Sequence, residues 1–302
     1  MIIDCHTHVG EFWNDAPQTP VTLENLIERL DDEGIDKAVL LPTSLSSEAQ
    51  FAGSLLAGAK NEFEQVAEAT AFSDRIIPFG NLDPRWCGNR SNADFSLLIE
   101  KFIEMGCVGI GEMVAHLEFD DPRTVNVFRQ CGGYDLPVLF HGIGRGEGQY
   151  GLIDDVGSPR LAALLEQAPD TIIIGHGQGF WAEIADGITP KDKLGRPRGR
   201  IAAEGSVPRL LRRFPNLYCD ISAGSGYNAL TRDPEFGVGF INEFQDRLMF
   251  GTDVCFGDKK SRKKQLTYLR TLLGEGKISH DVFDKITSGN LLGVLKLYKS
   301  GG

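Results

Sequence analysis

The chain has no apolar run approaching the ~18 residues that a membrane-spanning helix needs, so no membrane segment is expected. It has no CxxC pair. Its six cysteines (Cys5, Cys87, Cys107, Cys131, Cys219 and Cys255) stand singly, which reads as free thiols in a reducing compartment. Positive charge is in deficit, 31 Lys plus Arg against 42 Asp plus Glu. The net charge of −11 would repel a phosphate backbone, so general nucleic-acid binding is not expected. No Pro/Ser-rich linker or sharp composition shift divides the 302 residues. A single domain over 1–302 is therefore expected, since barrels of ~250 residues fold as one unit. The opening Met1-Ile2-Ile3-Asp4-Cys5-His6 carries neither a basic nor an apolar leader region, which makes the cytoplasm the expected compartment. A homo-oligomer is compatible with the sequence and not required by it.

What is present is alternation. Short runs rich in Val, Ile and Leu fall at 2–6, 36–41, 75–80, 107–112, 136–141, 171–176, 216–221 and 247–252. Most are nearly continuous in apolar residues, as in parallel strands covered on both faces. Amphipathic segments lie between them: 23–30, 95–102, 161–165, 207–211, 266–273 and 282–298. Eight strand–helix units in 302 residues predict an α/β fold, a distorted (β/α)8 TIM barrel of parallel strands with its active site at the C-terminal mouth. A doubly wound sheet would announce a Gly-rich turn after its first strand, where this chain has Thr7-His8-Val9-Gly10-Glu11.

Polar residues close the apolar runs. His6-Thr7-His8 ends the first, and two imidazoles side by side make half of a metal site. Glu112 ends the fourth run, His141 the fifth, His176 the sixth, and Asp253 follows the eighth. A barrel brings all these positions to one mouth, and core packing alone does not explain so many polar strand ends.

This order of His-x-His, Glu, His, His and Asp resembles the amidohydrolase superfamily of metal-dependent barrel hydrolases. In detail it is similar to the amidohydrolase-related branch, which includes aminocarboxymuconate-semialdehyde decarboxylase-like enzymes. The matching pieces are Ile2–His8, Leu136–His141, Gly175–Gly177, Asn216–Ser222, Arg247–Asp253 and Ile286–Leu295, which span nearly the whole chain. The resemblance implies that His6, His8, His141 and Asp253 bind a divalent metal, Zn²⁺ or Mn²⁺. His176 is then an acid/base or carbonyl-polarising group, or a ligand of a second ion. Glu112 either bridges two ions or orients a ligand histidine, so one or two ions per chain are implied. The implied chemistry is hydrolysis of a C–N or C–O bond in an amide, lactone or cyclic acid, by a water whose pKa the metal lowers to about 7. Asp253 would relay the proton and His176 would hydrogen-bond the oxyanion. The alternative is a metal-dependent non-oxidative decarboxylase of an aromatic or muconate-like acid. A non-catalytic binding barrel is the third reading.

Candidate substrate contacts come from the segments after the strands: Phe12 and Trp13, Arg85 and Trp86, His116, Arg145, Phe180 and Trp181, and Tyr227. Aromatic residues with a few arginines suit a small planar organic acid. Three other signals weigh less. Gly146–Gly151 spells GxGxxG but lies five residues beyond a strand end and carries Glu147, so it reads as a loop over the mouth. Cys255 reads as an ordinary thiol. The basic loop 189–200 could clamp an anionic substrate, though a solvated charge run is the plainer reading.

Overall fold

The computed structural model describes residues 1–10, 20–42, 60–146, 149–255, 257 and 264–296. All eight expected strands are present: β1 (Ile3–Thr7), β2 (Lys37–Leu40), β3 (Ile76–Pro78), β4 (Ile110–Met113), β5 (Val138–Ile143), β7 (Ile173–His176), β8 (Leu217–Asp220) and β9 (Leu248–Met249). A short additional strand, β6 (Leu152–Ile153), pairs with β5.

Every ladder between these strands is parallel, in the orders β1-β2-β3 and β4-β5-β7-β8-β9. Two sets of contacts join the sheets. A parallel bridge links Gly80 to Ile110, and another links Thr7 to Val254. Cys5 N–H donates to Phe250 O at 2.9 Å, and Asp253 N–H donates to His6 O at 2.8 Å. Eight strands thus run in a ring, as expected for a distorted (β/α)8 barrel.

Residue alternation explains the layers. Val39, Leu41, Ile77, Phe79, Leu139, Ile174 and Met249 form one buried cluster with Ile3, Cys5, Leu291 and Leu295. Their strand neighbours Ala38, Val138, Phe140, Ile173 and Leu248 belong instead to the larger core shared with the helices. Period-two side chains on parallel strands produce this split between barrel interior and helix layer.

The helices begin where the chain offers caps. Thr22 and Asn25 form a capping box for α1 (Leu23–Glu33), which ends on left-handed Gly34. Asn61 and Glu64 do the same for α2 (Glu62–Phe72). Asp121 with Pro122 starts α4 (Pro122–Gly133), and Asp233 with Pro234 starts α9 (Pro234–Glu243). The other helices are α3 (Ser96–Glu104), α5 (Pro159–Gln167), α6 (Gln178–Ala182), α7 (Ser206–Arg213), α8 (Ala223–Thr231), α10 (Gln265–Gly274), α11 (His280–Asp284) and α12 (Asn290–Val294). The expected final helical region over 282–298 is present, with α11 running through a wider helical turn at Lys285–Gly289 into α12, and 297–298 lying outside the described residues. One expectation needs correction. The eighth strand keeps regular pairing only over Leu248–Met249, so Asp253 sits in an irregular segment at φ 55°. No described helix is long and apolar enough to cross a membrane.

Candidate metal centre

β1 delivers His6 just before its end and His8 just after it. The ring is irregular there, because the β1–β2 register shifts between Asp4 and Thr7. Such a bulge re-aims side chains at a strand end. The two Nε2 atoms lie 2.9 Å apart. Glu112 on β4 places Oε2 3.6 Å from His6 Nε2 and 3.5 Å from His8 Nε2. Asp253 Oδ1 lies 3.7 and 3.6 Å from the same two nitrogens. The other oxygen of Glu112, Oε1, lies 2.7 Å from His141 Nδ1 on β5 and 3.6 Å from His176 Nε2 on β7. Glu112 therefore stands between two pairs of histidines, one on each oxygen.

Each histidine has its other nitrogen committed to an acceptor. His6 Nδ1 donates to Asp220 Oδ2 at 2.6 Å, and His8 Nδ1 donates to Leu41 O at 2.9 Å. His176 Nδ1 lies 2.9 Å from Asp220 Oδ2 and 3.0 Å from the Ser222 hydroxyl. His141 Nε2 lies 3.2 Å from Gln178 Oε1. Protons on those outer nitrogens leave lone pairs on His6 Nε2, His8 Nε2, His176 Nε2 and His141 Nδ1, all turned toward the carboxylates of Glu112 and Asp253. Two imidazole lone pairs 2.9 Å apart repel unless an electrophile lies between them. Nitrogen and carboxylate donors in this mixture suit a divalent ion of the Zn²⁺ or Mn²⁺ kind. The donor set fits a metal centre.

The electrostatics agree. Burial opposes charge on His6, yet Asp220 and then Asp253 push its pKa well above the usual range. An excess of negative charge that draws a proton also draws a cation. Burial likewise opposes charge on Glu112, but His141 and His6 hold its carboxyl well below its ordinary value. Asp253 is lowered against burial by His6, His176 and His8. Asp220 is lowered against burial by His6 and His176. Burial raises Asp4 to about 7; it accepts from Thr252 Oγ1 at 2.5 Å and from the backbone N–H of His6 at 3.0 Å, which ties the last strand to the first.

Several residues that the sequence reading passed over complete the cluster. Asp220 and Ser222 orient His6 and His176, and Gln178 meets His141. Asn81 donates to Pro42 O and Glu112 O, fixing the exit of β4. The Tyr150 ring lies 4.4 Å from that of His141, and burial with Glu112, Asp253 and Cys255 nearby pushes its phenol pKa well up. Cys255 Sγ lies 3.0 Å from Asp253 Oδ1, at the edge of the donor set.

The expected substrate contacts scatter. Phe12 and Trp13 lie outside the described residues. Trp181 is 2% exposed, packs against Phe180 and Phe240, and donates its indole N–H to Asp220 O at 2.9 Å. The expectation that it touches substrate is corrected: it holds the end of β8 from behind. Phe180 is buried in the same core. Arg145 is exposed and paired with Glu118 and Asp155, a surface network rather than a pocket group. Arg85 is paired with Asp83 at 3.1 Å, Trp86 packs half-buried on the core, and His116 stands near Arg85. Tyr227 lines a cavity described below.

The amidohydrolase family model matches residues 3–292. A search of curated proteins finds no match. Solved structures share the fold at low identity. An uncharacterized TIM-barrel protein from Bordetella bronchiseptica is 18% identical, with 98% of each chain covered and a TM-score of 0.64. A putative 2-pyrone-4,6-dicarboxylic acid hydrolase from Pseudomonas putida is 14% identical, covering 99% of this chain and 98% of its own, at 0.61. A 2,6-dihydroxybenzoate decarboxylase from Rhizobium is 16% identical, with coverage of 99% and 98%, at 0.58. With the family model spanning nearly the whole chain, and the family's order of polar strand ends gathered at one mouth, the chain belongs to the amidohydrolase family.

Proposed function

We propose that the protein is a hydrolase of a C–N or C–O bond in a small organic substrate, an amide, lactone or cyclic acid, which would use two divalent ions, Zn²⁺ or Mn²⁺, with Glu112 among the residues that would hold them. The observation that carries this reading is the division of Glu112: Oε2 faces His6 and His8, and Oε1 faces His141 and His176. His6, His8, Glu112 and Asp253 would hold one ion, and Glu112, His141 and His176 the other. Bound ions of this kind lower the pKa of a coordinated water toward about 7 and polarise a substrate oxygen.

The chain's own groups do the rest. Asp253, kept ionised by His6, His176 and His8, takes a proton from the attacking water and returns it to the leaving group. The phenol of Tyr150, kept protonated by burial beside carboxylates, is a hydrogen-bond donor for a developing oxyanion. Asp220 fixes the tautomers of His6 and His176 throughout. The cytoplasm is the proposed compartment, in keeping with buried free thiols at Cys5, Cys107, Cys131 and Cys219.

The neighbouring decarboxylase fold supports a second reading, in which the same Asp253 protonates a carbon as CO2 leaves. The test is metal content by plasma mass spectrometry on untagged protein, followed by a panel of lactones, amides and hydroxybenzoates. About two ions per chain with turnover of a lactone or amide supports hydrolysis. CO2 release from a hydroxybenzoate, without hydrolysis, replaces it with decarboxylation. No metal after reconstitution overturns both and leaves the binding barrel.

A further inference from the structure

Between the loop after α6 and the helices α8 and α10 lies a polar cavity of about 920 Å3. Its wall starts at Ala223, one residue after Ser222, whose hydroxyl meets His176 Nδ1 at 3.0 Å. Gln265 Nε2 donates to Ala223 O at 2.6 Å and ties α10 to that wall. Arg196 and Arg198 enter from the loop after α6, Tyr227 and Asn228 from α8, and Lys264 from the residue before α10. The Lys264 ammonium stands 6.0 Å from the centre of the Tyr227 ring.

Arg200, in the same loop as Arg196 and Arg198, is paired with Asp233 and Glu235, and Arg145, Arg160 and Arg212 all pair with carboxylates. Among the described residues, Arg196, Arg198 and Lys264 have no carboxylate partner, although the chain carries a net charge of −11. Other described cations also lack a carboxylate ion pair: Arg209 and Arg247 donate to backbone carbonyls, and Arg232 Nε and Nη2 are buried without a hydrogen-bond partner. What marks Arg196, Arg198 and Lys264 is that they line one cavity. Gathering like charges around one cavity is unfavourable unless an anion comes between them.

The loop is also held in place. Lys193, 2% exposed, pairs with buried Glu183 at 2.7 Å. Asp192 accepts from the backbone and hydroxyl of Thr189 at 2.8 and 2.7 Å. Asn228 Nδ2 donates to the carbonyl of Pro197, the residue between the two arginines, at 3.0 Å. The guanidinium groups are therefore carried on a backbone fixed from both sides, which lowers the ordering cost of binding.

We infer that this cavity is the anion end of the substrate pocket and takes a carboxylate of a small, multiply charged organic acid. Two planar guanidinium forks, an ammonium and an amide match the in-plane oxygens of a carboxylate. The Tyr227 ring offers a face to the acid's carbon skeleton. That such an acid is the substrate rests on the proposed hydrolase; anion binding at the cavity stands without it. The shared chemistry is a compact oxyanion, and a phosphate ester is the competing source.

Calorimetric titration of the full chain with propane-1,2,3-tricarboxylate, and separately with inorganic phosphate, tests this. Saturable tricarboxylate binding is expected. The double variant Arg196→Ala/Arg198→Ala should weaken it by about tenfold or more, with unchanged circular dichroism and metal content. Arg200→Ala, a cation of the same loop outside the cavity, should stay within about twofold. Asp253→Asn should keep the dependence on the arginines, so a failure of the metal reading does not disturb this test. The inference is overturned by any of three results: no binding at millimolar acid, binding lost in Asp253→Asn but not in the arginine double variant, or tighter binding of phosphate than of the tricarboxylate.

Discussion

Asp220 accepts the Nδ1 proton of His6 across 2.6 Å, and the same oxygen stands 2.9 Å from Nδ1 of His176. One buried carboxylate on β8 thus sets the tautomers of two inward histidines from different strands. Ser222 adds a third donor to that oxygen at 2.6 Å. Replacing such an orienting carboxylate costs about 10- to 100-fold in metal affinity. Asp220→Asn keeps the volume and loses the charge, so it should bind metal about tenfold more weakly, measured by competition with a chromophoric chelator. Unchanged affinity would show that the two histidines do not depend on Asp220.

Glu112→Gln tests the division of the site. An amide has one good acceptor oxygen and no charge, so it cannot serve both histidine pairs. Metal content should fall from about two ions per chain to about one, and hydrolysis of the best panel substrate by about 100-fold or more. If the variant keeps both ions, Glu112 only orients His141, to which it stands at 2.7 Å.

The cluster of His, Glu and Asp side chains could be read from the sequence because an apolar strand that ends in His, Glu or Asp is conspicuous. His6, His8, Glu112, His141, His176 and Asp253 all converge, within one mouth, on the atoms described above. Asp220 obeys the same rule at the end of β8, yet its neighbour Cys219 and the following Ile221 make the run look like plain core. Gln178 and Tyr150 were hidden for a different reason. They reach the cluster from a five-residue helix and from the segment before β6, where no periodicity operates. Trp181 misled because an aromatic residue after a strand end looks the same whether its helix faces the mouth or the core. α8 lacked an apolar stripe because it packs through small residues: a Cβ on Gly226 would stand 2.4 Å from Ile221 O.

Gly177 follows His176 and starts α6 with φ +97°. A Cβ there would stand 2.7 Å from Gly142 O and 2.8 Å from His141 Cδ2. Neither can move without disturbing β5. Gly177→Ala should therefore destabilise the fold by about 2–4 kcal/mol, read from urea unfolding. Gly187, at φ +71° with nothing within 4 Å of its would-be Cβ, separates the two causes. Gly187→Ala carries only left-handed backbone strain and should lose about 1 kcal/mol. Equal losses in the two variants would mean that the contact with β5 does not matter.

Asp154 gives a pH dependence away from the metal ligands. Its carboxylate is buried and accepts from the backbone N–H groups of Arg160 and Leu161, each at 3.0 Å, at the start of α5. Burial raises its pKa from 3.8 to about 6, with Lys193 and those N–H groups only partly opposing. An acid whose pKa is higher in the folded state binds its proton more tightly there. Its favourable contribution is complete below the unfolded pKa of 3.8 and is lost as pH rises through about 6. Asp154→Asn keeps an acceptor oxygen and removes the titration. Between pH 5 and pH 7.5, the wild type should lose about 1–2 kcal/mol more stability than the variant, measured by parallel denaturant titrations. Parallel pH profiles for the two proteins would mean that Lys193 and the helix start hold Asp154 ionised, and that its burial carries no penalty at neutral pH.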